Sequence, residues 1–477
     1  MTSMEHPGGG TVPAKVETRL GTLEYEWGYP TAETTRKLFD EIDFQRAVQA
    51  YMWAYPVVSF ESIQTAAKRD IGTDLNELAI ADNFLDPRSV WFTANDTTVY
   101  AVAAIDLAQA GPVVIEIPPG ALVGLIDDYW QRNLTDVGLP GPDGDKGGKY
   151  LMLPPDYAGE VPGDGYHVLH GTMNNYSFMI RGIVMKGDVP DAVQRVKQVR
   201  IYPWSERTQP KPTKFVSMSG VEIDTTPPGG LEFWEILSGF INHNPVQERD
   251  RFFMAMLKPL GIEKDQPFAP DARQRALLEE AATLGDAMGR SILFDAPKRI
   301  SGATMFPGTQ WEWSTLLDSS GEAESYSQLD ERLGYTYGAI YTSPFIGTRH
   351  AGPGSTYVQA FKDKDGNRLD GGRSYRLHVP ANTPATAFWS LTLYDTATRS
   401  MIQCPSNDAA HSSYDDDLKK NADGSIDLYF GPQAPSGGES NWLETVPGSG
   451  FYPMFRFYTP TAPLFDGTWS LPDIELT

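Results

Sequence analysis

Two segments of this sequence repeat the same short β patterns in the same order, and this internal repeat limits the possible folds more than any other feature. Residues 100–106 begin with Tyr and end with Asp, and residues 357–363 do the same. Further matched patterns are the strands ending at Pro118 and Pro380, segments 130–136 and 389–395, the strands ending at Pro155 and Pro432, and the strands containing Arg181 and Arg456. The shared order predicts two copies of one β sandwich, with coincidence among strand-rich segments as the alternative.

Short apolar runs separated by Gly, Pro and Asn fill both repeated segments and are typical of β strands. Helical spacing instead marks residues 31–70, with an interruption at Pro56, and three runs between residues 230 and 295. We therefore predict a mainly β protein with α-helices, in which two jelly-roll-like β-sandwich domains are joined by a helical section. The predicted order is a flexible tail (1–20), a helical lead-in (21–94), a first β domain (95–229), a helical section (230–333) and a second β domain (334–477).

Charge and cysteine content exclude several classes of function. The 477 residues carry a formal net charge of −23, which opposes binding to nucleic acid or to an anionic membrane surface. The single Cys404 excludes a disulfide framework and a cysteine-type zinc site. No stretch reaches the roughly 18 apolar residues of a transmembrane helix, and the glycine-rich start is unlike a signal peptide. We expect a soluble, cytoplasmic protein, although removal of a leader would leave the same sequence.

Several motifs with well-defined chemistry are absent from the sequence. It contains no GxSxG nucleophile elbow, no HExxH zinc motif and no P-loop. Asp363, Asp365 and Asn367 imitate the start of a calcium loop, but Arg368 occupies the position that requires glycine. His167 and His170 lie three apart, a spacing that places them on opposite faces of a strand. No metal ligand set is therefore assigned.

The sequence resembles a paired family of bacterial proteins known by two adjacent domains of unknown function, DUF1254 and DUF1214. The first half carries the resemblance in GTLEYEWGYPTAET, AYMWAYP, the Asn95-Asp96-Thr97-Thr98-Val99-Tyr100 segment, DLAQAGPVVIEIP and DDYW. The second half carries it in AFWSLTLYD, the Asn441-Trp442 pair, RFYTP and DGTW. The resemblance implies two jelly-roll-like domains with a helical section, and it implies no activity. One departure is the extra residue between Asp96 and Tyr100, where the family usually reads ND-T-x-Y.

The candidate site lies in the first β domain, around the DDYW run. If residues 127–133 form one strand, Asp128, Trp130 and Arg132 share one face, and Asp127, Tyr129, Gln131 and Asn133 share the other. Buried carboxylates require partners, so we expect either that Arg181 neutralises them or that they line a wet pocket. The structural alternative is an Asp–Arg bridge in each copy, with Asp395 and Arg456 repeating it. Against that alternative, the matching positions of the second copy, read from the Trp130–Trp389 alignment, are plain (Ala387, Phe388, Ser390, Thr392).

These residues predict a provisional small-molecule hydrolase that uses carboxylates as general acid and base. The expected catalytic residues are Asp96, Asp127, Asp128 and Tyr129, and the expected substrate-binding residues are Asn95, Tyr100, Trp130, Asn133 and Arg181. A divalent cation held by the carboxylates is an open alternative, and no other cofactor is indicated. The negative net charge favours a neutral or cationic ligand. The alternative function is a non-catalytic ligand-binding or structural protein, and in either case we expect a homo-oligomer.

Overall fold

The computed structural model describes residues 12–185 and 187–477. The chain begins with a small three-stranded antiparallel sheet, β1 (Lys15–Thr18), β2 (Gly21–Glu26) and β3 (Tyr29–Pro30). The predicted flexible tail is therefore wrong for residues 15–18, which pair with β2. Residues 1–11 of that tail lie outside the described part of the chain.

Helix α1 (Ala32–Ala66) is the longest helix and the packing centre of the helical layer. Its first turn is capped by Thr31, whose hydroxyl accepts a hydrogen bond from the backbone N–H of Thr34 at 3.2 Å. The predicted interruption at Pro56 is wrong, because the helix continues through this residue. An interior proline costs a helix about 3 kcal/mol. The aromatic packing of the buried segment around Pro56 offsets this cost, since Tyr51, Trp53 and Tyr55 are all buried.

The first β unit contains two sheets and two short helices. Its elements are β4 (Leu78–Ile80), β5 (Ser89–Val90), β6 (Val99–Asp106), α2 (Leu107–Ala110), β7 (Val113–Ile117), β8 (Leu122–Asp128), β9 (Asn133–Gly138), β10 (Gly148–Leu153), β11 (His167–His170), β12 (Asn175–Gly182), α3 (Val189–Val196), β13 (Arg200–Pro203), β14 (Phe215–Ser217) and β15 (Ile223–Asp224). The six-stranded sheet has the order β14-β4-β6-β12-β8-β9, and the four-stranded sheet has the order β11-β10-β7-β13. A short parallel pair, β15-β5, lies apart from them.

Helices then separate this unit from the second one. They are α4 (Gly230–His243), α5 (Arg251–Leu257) and α6 (Ala272–Phe294), and they are followed by β16 (Trp311–Trp313) and α7 (Leu329–Gly338). They pack around α1 through aromatic rings: Tyr51 stacks on Phe233 of α4 with ring centroids 4.0 Å apart, and Trp53 stacks on Phe253 of α5 at 4.6 Å. None of the described helices is long and apolar enough to cross a membrane.

The second β unit is again built from two sheets. Its remaining strands are β17 (Ser355–Ala360), β18 (Tyr375–Val379), β19 (Ala385–Asp395), β20 (Ala410–Ser412), β21 (Ile426–Gly431), β22 (Trp442–Glu444), β23 (Phe451–Pro460) and β24 (Glu475–Leu476). The orders are β16-β17-β23-β19-β20 and β22-β21-β18-β24. The predicted mainly β fold with α-helices is therefore confirmed.

The strand orders confirm the internal repeat. The run β6-β12-β8-β9 in the first unit corresponds to β17-β23-β19-β20 in the second, and β11-β10-β7-β13 corresponds to β22-β21-β18-β24. The other strand pairs in these two four-stranded sheets are antiparallel, and the parallel pair recurs as well: β10 and β11 are parallel, as are β21 and β22. Two copies of one topology are therefore joined in a single chain.

The strand register corrects one part of the predicted alignment. Arg181 lies opposite Tyr100 and Val123, and Arg456 lies opposite Tyr357 and Ser390. The Tyr and Arg pairs were therefore aligned correctly. Counting along β8 and β19 from these anchors matches Leu122, and not Trp130, with Trp389.

Candidate functional site

The inner faces of the six-stranded and five-stranded sheets meet at a cavity of about 40 Å³, which we call the central cavity. Its lining includes Asn95, Tyr100, Arg181, Tyr335, Tyr341, Tyr357 and Arg456. One water molecule takes up about 10–15 Å³ of such a cavity, so the cavity holds about three waters or one small polar group. Both repeats contribute to the walls.

Each repeat supplies the central cavity with one Arg–Tyr pair from the same two strands. In the first repeat, Arg181 on β12 lies over the ring of Tyr100 on β6, with its guanidinium carbon 5.8 Å from the ring centroid. In the second repeat, Arg456 on β23 lies over Tyr357 on β17 at 5.4 Å. In each pair, the Arg and the Tyr lie directly opposite each other on neighbouring antiparallel strands, and such residues lie close together. Because the strand pairing is the same in both repeats, the Arg–Tyr pair occurs twice.

The two guanidinium groups are buried without a carboxylate partner. Arg181 is 4% exposed and Arg456 is 1% exposed. Among the described residues, no carboxylate oxygen lies within 4.0 Å of either group. Arginine keeps its charge in proteins, and a buried charge without a counter-charge is costly. The central cavity therefore holds two buried guanidinium groups whose direct neighbours are tyrosines and not carboxylates.

Hydrogen bonding differs between the two arginines. Arg456 donates to Thr392 Oγ1 at 2.9 Å, to the carbonyl oxygen of Thr93 at 3.2 Å and to the hydroxyl of Tyr394. Arg181 makes no comparable set of bonds: Tyr357 is its side-chain partner, and its Nε has no partner among the described residues. Arg181 is thus the arginine with donors left for a ligand.

Tyr357 lies between the two charges. Burial opposes ionisation of its phenol, but the nearby guanidinium groups of Arg181 and Arg456 outweigh burial and hold the pKa of Tyr357 below its ordinary value. Its hydroxyl also accepts a hydrogen bond from Ser355 Oγ at 2.9 Å. A phenol in this setting gives up its proton more readily than a free tyrosine does.

The segment around Asn95 forms another wall. Asn95 donates from Nδ2 to the hydroxyl of Tyr100 at 2.6 Å, and its Oδ1 accepts from the backbone N–H of Thr97 at 3.1 Å. The adjacent Asp96 does not line the central cavity. It lies in a separate cleft with His411 and Asp415, and burial raises the pKa of its carboxyl group to about 6.

The structure separates the predicted DDYW site into unrelated environments, because β8 ends at Asp128 and residues 129–132 form a turn. The predicted alternation of faces along residues 127–133 is therefore wrong. Gln131 has a left-handed backbone with φ of 56°, as a tight connection between β8 and β9 requires. Its Oε1 accepts from the backbone N–H of Tyr341 at 3.1 Å. The turn therefore holds a segment that lines the central cavity.

Asp127 is fully buried and supports the same segment. Its Oδ2 accepts from the backbone N–H of Thr342 at 2.8 Å, and its Oδ1 accepts from Asn133 Nδ2 at 3.2 Å. Burial raises the pKa of Asp127 well above its ordinary value. Both predicted residues, Asp127 and Asn133, thus lie beside the central cavity rather than in its lining.

Asp128, Tyr129 and Trp130 point to three other places. Asp128 accepts from the backbone N–H of Arg132 at 3.0 Å, and its Oδ2 lies 3.7 Å from Arg249. Trp130 packs in the core with its ring centroid 4.4 Å from that of Trp53. Tyr129 donates to Gln64 Oε1 at 2.7 Å beside a second, larger cleft.

The predicted Asp–Arg bridges are wrong as well. No ion pair joins Arg181 to Asp127 or Asp128, or Arg456 to Asp395, in the described chain. Asp395 instead accepts from the backbone N–H groups of Ala397 and Thr398. We predicted aspartates as the partners of Arg181 and Arg456, but the side chains that surround these arginines are tyrosines.

Two family models match the sequence. Residues 75–203 match DUF1254 and residues 354–462 match DUF1214, each described as a protein of unknown function. The chain carries a DUF1254 domain followed by a DUF1214 domain. The resemblance drawn from the sequence motifs is thereby confirmed. The DUF1254 match covers Tyr100 and Arg181, and the DUF1214 match covers Tyr357 and Arg456.

Solved structures similar to this chain were found, and the first of them supports the fold alone. The VPA0106 protein from Vibrio parahaemolyticus is 21% identical with a TM-score of 0.57, over 91% of this chain and 100% of that chain. An uncharacterized protein from Burkholderia cenocepacia is 11% identical with a TM-score of 0.40, over 94% of this chain and 97% of its own. A search of the curated proteins found no match.

Sequence reasoning missed the share of the DUF1214 domain in the site. The expected residues Asn95, Tyr100 and Arg181 of the DUF1254 domain do meet at the central cavity. Tyr357 and Arg456 were visible in the sequence as the repeated partners of Tyr100 and Arg181. Their recurrence indicated a structural bridge, whereas the two copies face each other and share one cavity.

No group of three or more described His, Cys, Asp or Glu side chains is arranged to hold a metal ion.

Proposed function

We propose that this protein binds a small molecule through an anionic group, such as a carboxylate, in the central cavity. The supporting observation is that Arg181 and Arg456 reach one cavity, both buried and without a described carboxylate partner. Arginine binds carboxylates through paired N–H donors, and such bonds are strong away from water. An anion at this point would supply the missing counter-charge.

This ligand differs from the neutral or cationic one expected from the net charge of −23. The net charge describes the potential around the whole surface, whereas a ligand in the cavity meets the nearest charges. In a desolvated site, two guanidinium groups outweigh distant carboxylates, which solvent and salt screen. The overall negative charge lowers the rate at which anions arrive and does not prevent their binding.

The enzymatic form of the proposal assigns proton transfer to Tyr357. Its lowered pKa and its place beside both arginines suit a group that exchanges a proton with a bound anion. Hydrolysis, the reaction predicted from the sequence, remains a proposal, as does a divalent cation at the aspartates. We move the acid–base role away from Asp127, because both of its oxygens accept hydrogen bonds within the protein.

The first experiment measures thermal unfolding with formate and acetate, in the wild type and in Arg181→Met. A ligand at a hundredfold excess over Kd stabilises the folded state by about 2.7 kcal/mol. We expect both anions to raise the Tm of the wild type and to lose this effect in Arg181→Met. The matched control is Arg332→Met, which removes another buried guanidinium, one that donates to the carbonyl oxygen of Trp53 outside the cavity. Equal shifts in both variants, or no shift in the wild type, would contradict the proposal.

Turnover separates the enzyme from the non-catalytic binding protein. The carboxylates that stabilise the wild type are offered as esters and amides, and product release is followed in the wild type and in Tyr357→Phe. We expect Tyr357→Phe to lower kcat by a factor of about 100 to 10,000, the usual contribution of a general acid or base. Binding without turnover of any member would favour the non-catalytic alternative.

Self-association also remains a proposal. The N-terminal sheet and the start of α1 expose large apolar side chains: Trp27 is 99% exposed, Tyr29 is 76% and Phe39 is 60%. Contiguous exposed apolar groups often mark protein contacts. Light scattering after gel filtration is the test, and we expect Trp27→Ser to convert an oligomer into a monomer. A wild-type monomer at high concentration would overturn this proposal.

A further inference from the structure

A second cleft, of about 640 Å³, opens beside α1. We call it the α1 cleft and define it by Gln64, Asn76, Ala104, Asp106, Tyr129 and Ser177. Its size lies within the range of about 300–1,000 Å³ that is usual for small-molecule sites. Two buried polar atoms in its walls, Thr73 Oγ1 and Asn76 Oδ1, have no hydrogen-bond partner in the described part of the chain.

The α1 cleft and the central cavity lie along the same face of the same two strands. Side chains alternate along a strand, so Tyr100, Val102 and Ala104 of β6 point to one face. The first two line the central cavity, and the last two line the α1 cleft. The neighbouring β12 repeats the pattern, since Arg181 lines the cavity and Ser177 lines the cleft.

Only a thin partition separates the two spaces. Val102 belongs to both linings. Ser177 in the cleft shares a hydrogen bond of 2.9 Å with the hydroxyl of Tyr341 in the cavity. A ligand that extends from one space into the other must displace the buried Tyr341 side chain and break this hydrogen bond, whereas the strands of the sheet stay in place.

We propose that the α1 cleft receives the body of the ligand whose anionic group lies between Arg181 and Arg456. This inference rests on the proposed function and adds the rest of the ligand to it. Asp106 lies four positions after Val102 on β6, so at 3.4 Å per residue the cleft accommodates a body of about 14 Å. Asp74, Glu77 and Asp106 lie along the cleft and outnumber its one lysine, Lys68, which pairs with Asp74 at 3.1 Å, so the lining disfavours a second anionic group.

The uncharged polar groups of the cleft define the ligand class further. Tyr129 and Gln64 are hydrogen-bonded to each other at 2.7 Å and retain capacity for a ligand hydroxyl. Phe60 and Ile63 supply apolar contact. The ligand is therefore a monocarboxylate with an uncharged aliphatic or hydroxylated chain.

The test compares formate with dodecanoate and 12-hydroxydodecanoate, whose extended chains match the length of about 14 Å, by calorimetric titration. We expect the wild type to bind both longer carboxylates at least about tenfold more tightly than formate, a difference of about 1.4 kcal/mol. Ala104→Phe fills the cleft without touching the central cavity, and we expect it to abolish this gain while formate binding stays within a factor of about two. The matched control Ala32→Phe, in a separate surface groove beside α1 and Arg273, should change neither affinity.

The outcomes distinguish the two proposals. Failure of formate to bind the wild type overturns the proposed function and this inference with it. Formate binding without a gain for dodecanoate, or a gain that survives in Ala104→Phe, overturns the inference alone. If Ala104→Phe does not fold, the wild type supplies the answer by NMR. We then expect a nuclear Overhauser effect between the terminal methyl group of dodecanoate and the Ala104 methyl group, and its absence is decisive against the inference.

Discussion

Arg181 and Arg456 occupy equivalent positions in the two repeats, and both of their guanidinium groups reach the same cavity. Neither has a carboxylate partner among the described residues. Their close neighbours are instead tyrosines, Tyr100 beside Arg181 and Tyr357 and Tyr394 beside Arg456. A fold that needed these charges only for stability would pair them, because an unpaired buried charge is a net cost.

Arg181→Met should stabilise the protein when no small anion is present. The substitution removes a buried charge whose Nε lacks a partner and replaces it with an apolar chain of similar length. We expect the free energy of unfolding to rise by about 1 kcal/mol, measured by urea denaturation in a zwitterionic buffer. A loss of stability would contradict this expectation and would mean that groups of the protein already compensate the buried charge of Arg181.

Tyr357 should ionise at lower pH than an ordinary tyrosine. Its pKa is lowered by the two guanidinium groups against the effect of burial, so its phenolate absorbance near 295 nm should appear early in an alkaline titration. Tyr357→Phe should remove this early phase. Tyr341→Phe is the control, because burial raises the pKa of Tyr341, another tyrosine of the central cavity, and its loss should leave the early phase intact. An unchanged titration in Tyr357→Phe contradicts the assignment.

Glu312 should make stability fall as the pH rises. It is 5% exposed on β16, and burial raises the pKa of its carboxyl group to about 8, with Lys362 and Arg368 opposing and Asp295 reinforcing the shift. The folded state thus holds a proton that the unfolded state releases above its ordinary pKa. The stabilisation is complete below a pH of about 4.5 and is lost between there and about 8, by up to about 5 kcal/mol.

Glu312→Gln should remove most of that dependence, because the amide does not titrate. Urea denaturation across this pH range should give equal stabilities for wild type and variant at the acidic end and a more stable variant at the alkaline end. Parallel curves at all pH values would show that Glu312 is ionised in the folded protein.

Gly285→Ala should destabilise the helical layer. A Cβ at this position of α6 would lie 2.3 Å from Cδ1 of Tyr51, whose ring stacks on Phe233. Overpacking of this kind costs about 1–3 kcal/mol. Gly239→Ala on α4 meets nothing within 4 Å and should instead stabilise by about 0.5–1 kcal/mol. Melting curves of both variants check the pair, and equal effects would argue against the close packing.

The fold was largely predictable from the sequence because two patterns can be read from neighbouring residues alone. They are the internal repeat and the Gly, Pro and Asn residues that separate the apolar strands. The shared order of the two copies predicted the common topology, including matched positions for Tyr100 and Tyr357. Helix α1 was misjudged at Pro56, because local propensity does not record the surrounding aromatic packing. The Trp130–Trp389 alignment failed because Trp130 lies in a turn that no period of two could reveal.

The candidate site was predicted only in part, since a site between two domains depends on how they pack. Asn95, Tyr100 and Arg181 were expected and do meet at the central cavity. Asp127 looked catalytic because paired carboxylates are common acid–base groups, but it is held by the backbone N–H of Thr342 from a segment 215 residues away. Nothing near Asp127 in the sequence indicates that contact.

The division of the central cavity between the repeats makes each domain half of a binding site. A fragment with only the DUF1254 domain would present Arg181 and Tyr100 on an open sheet face, and a fragment with only the DUF1214 domain would present Arg456 and Tyr357 in the same way. Water would then hydrate each guanidinium, and the low dielectric that strengthens its hold on an anion would be lost. Fusion of the two copies in one chain keeps the two halves at a fixed ratio and at a high effective concentration.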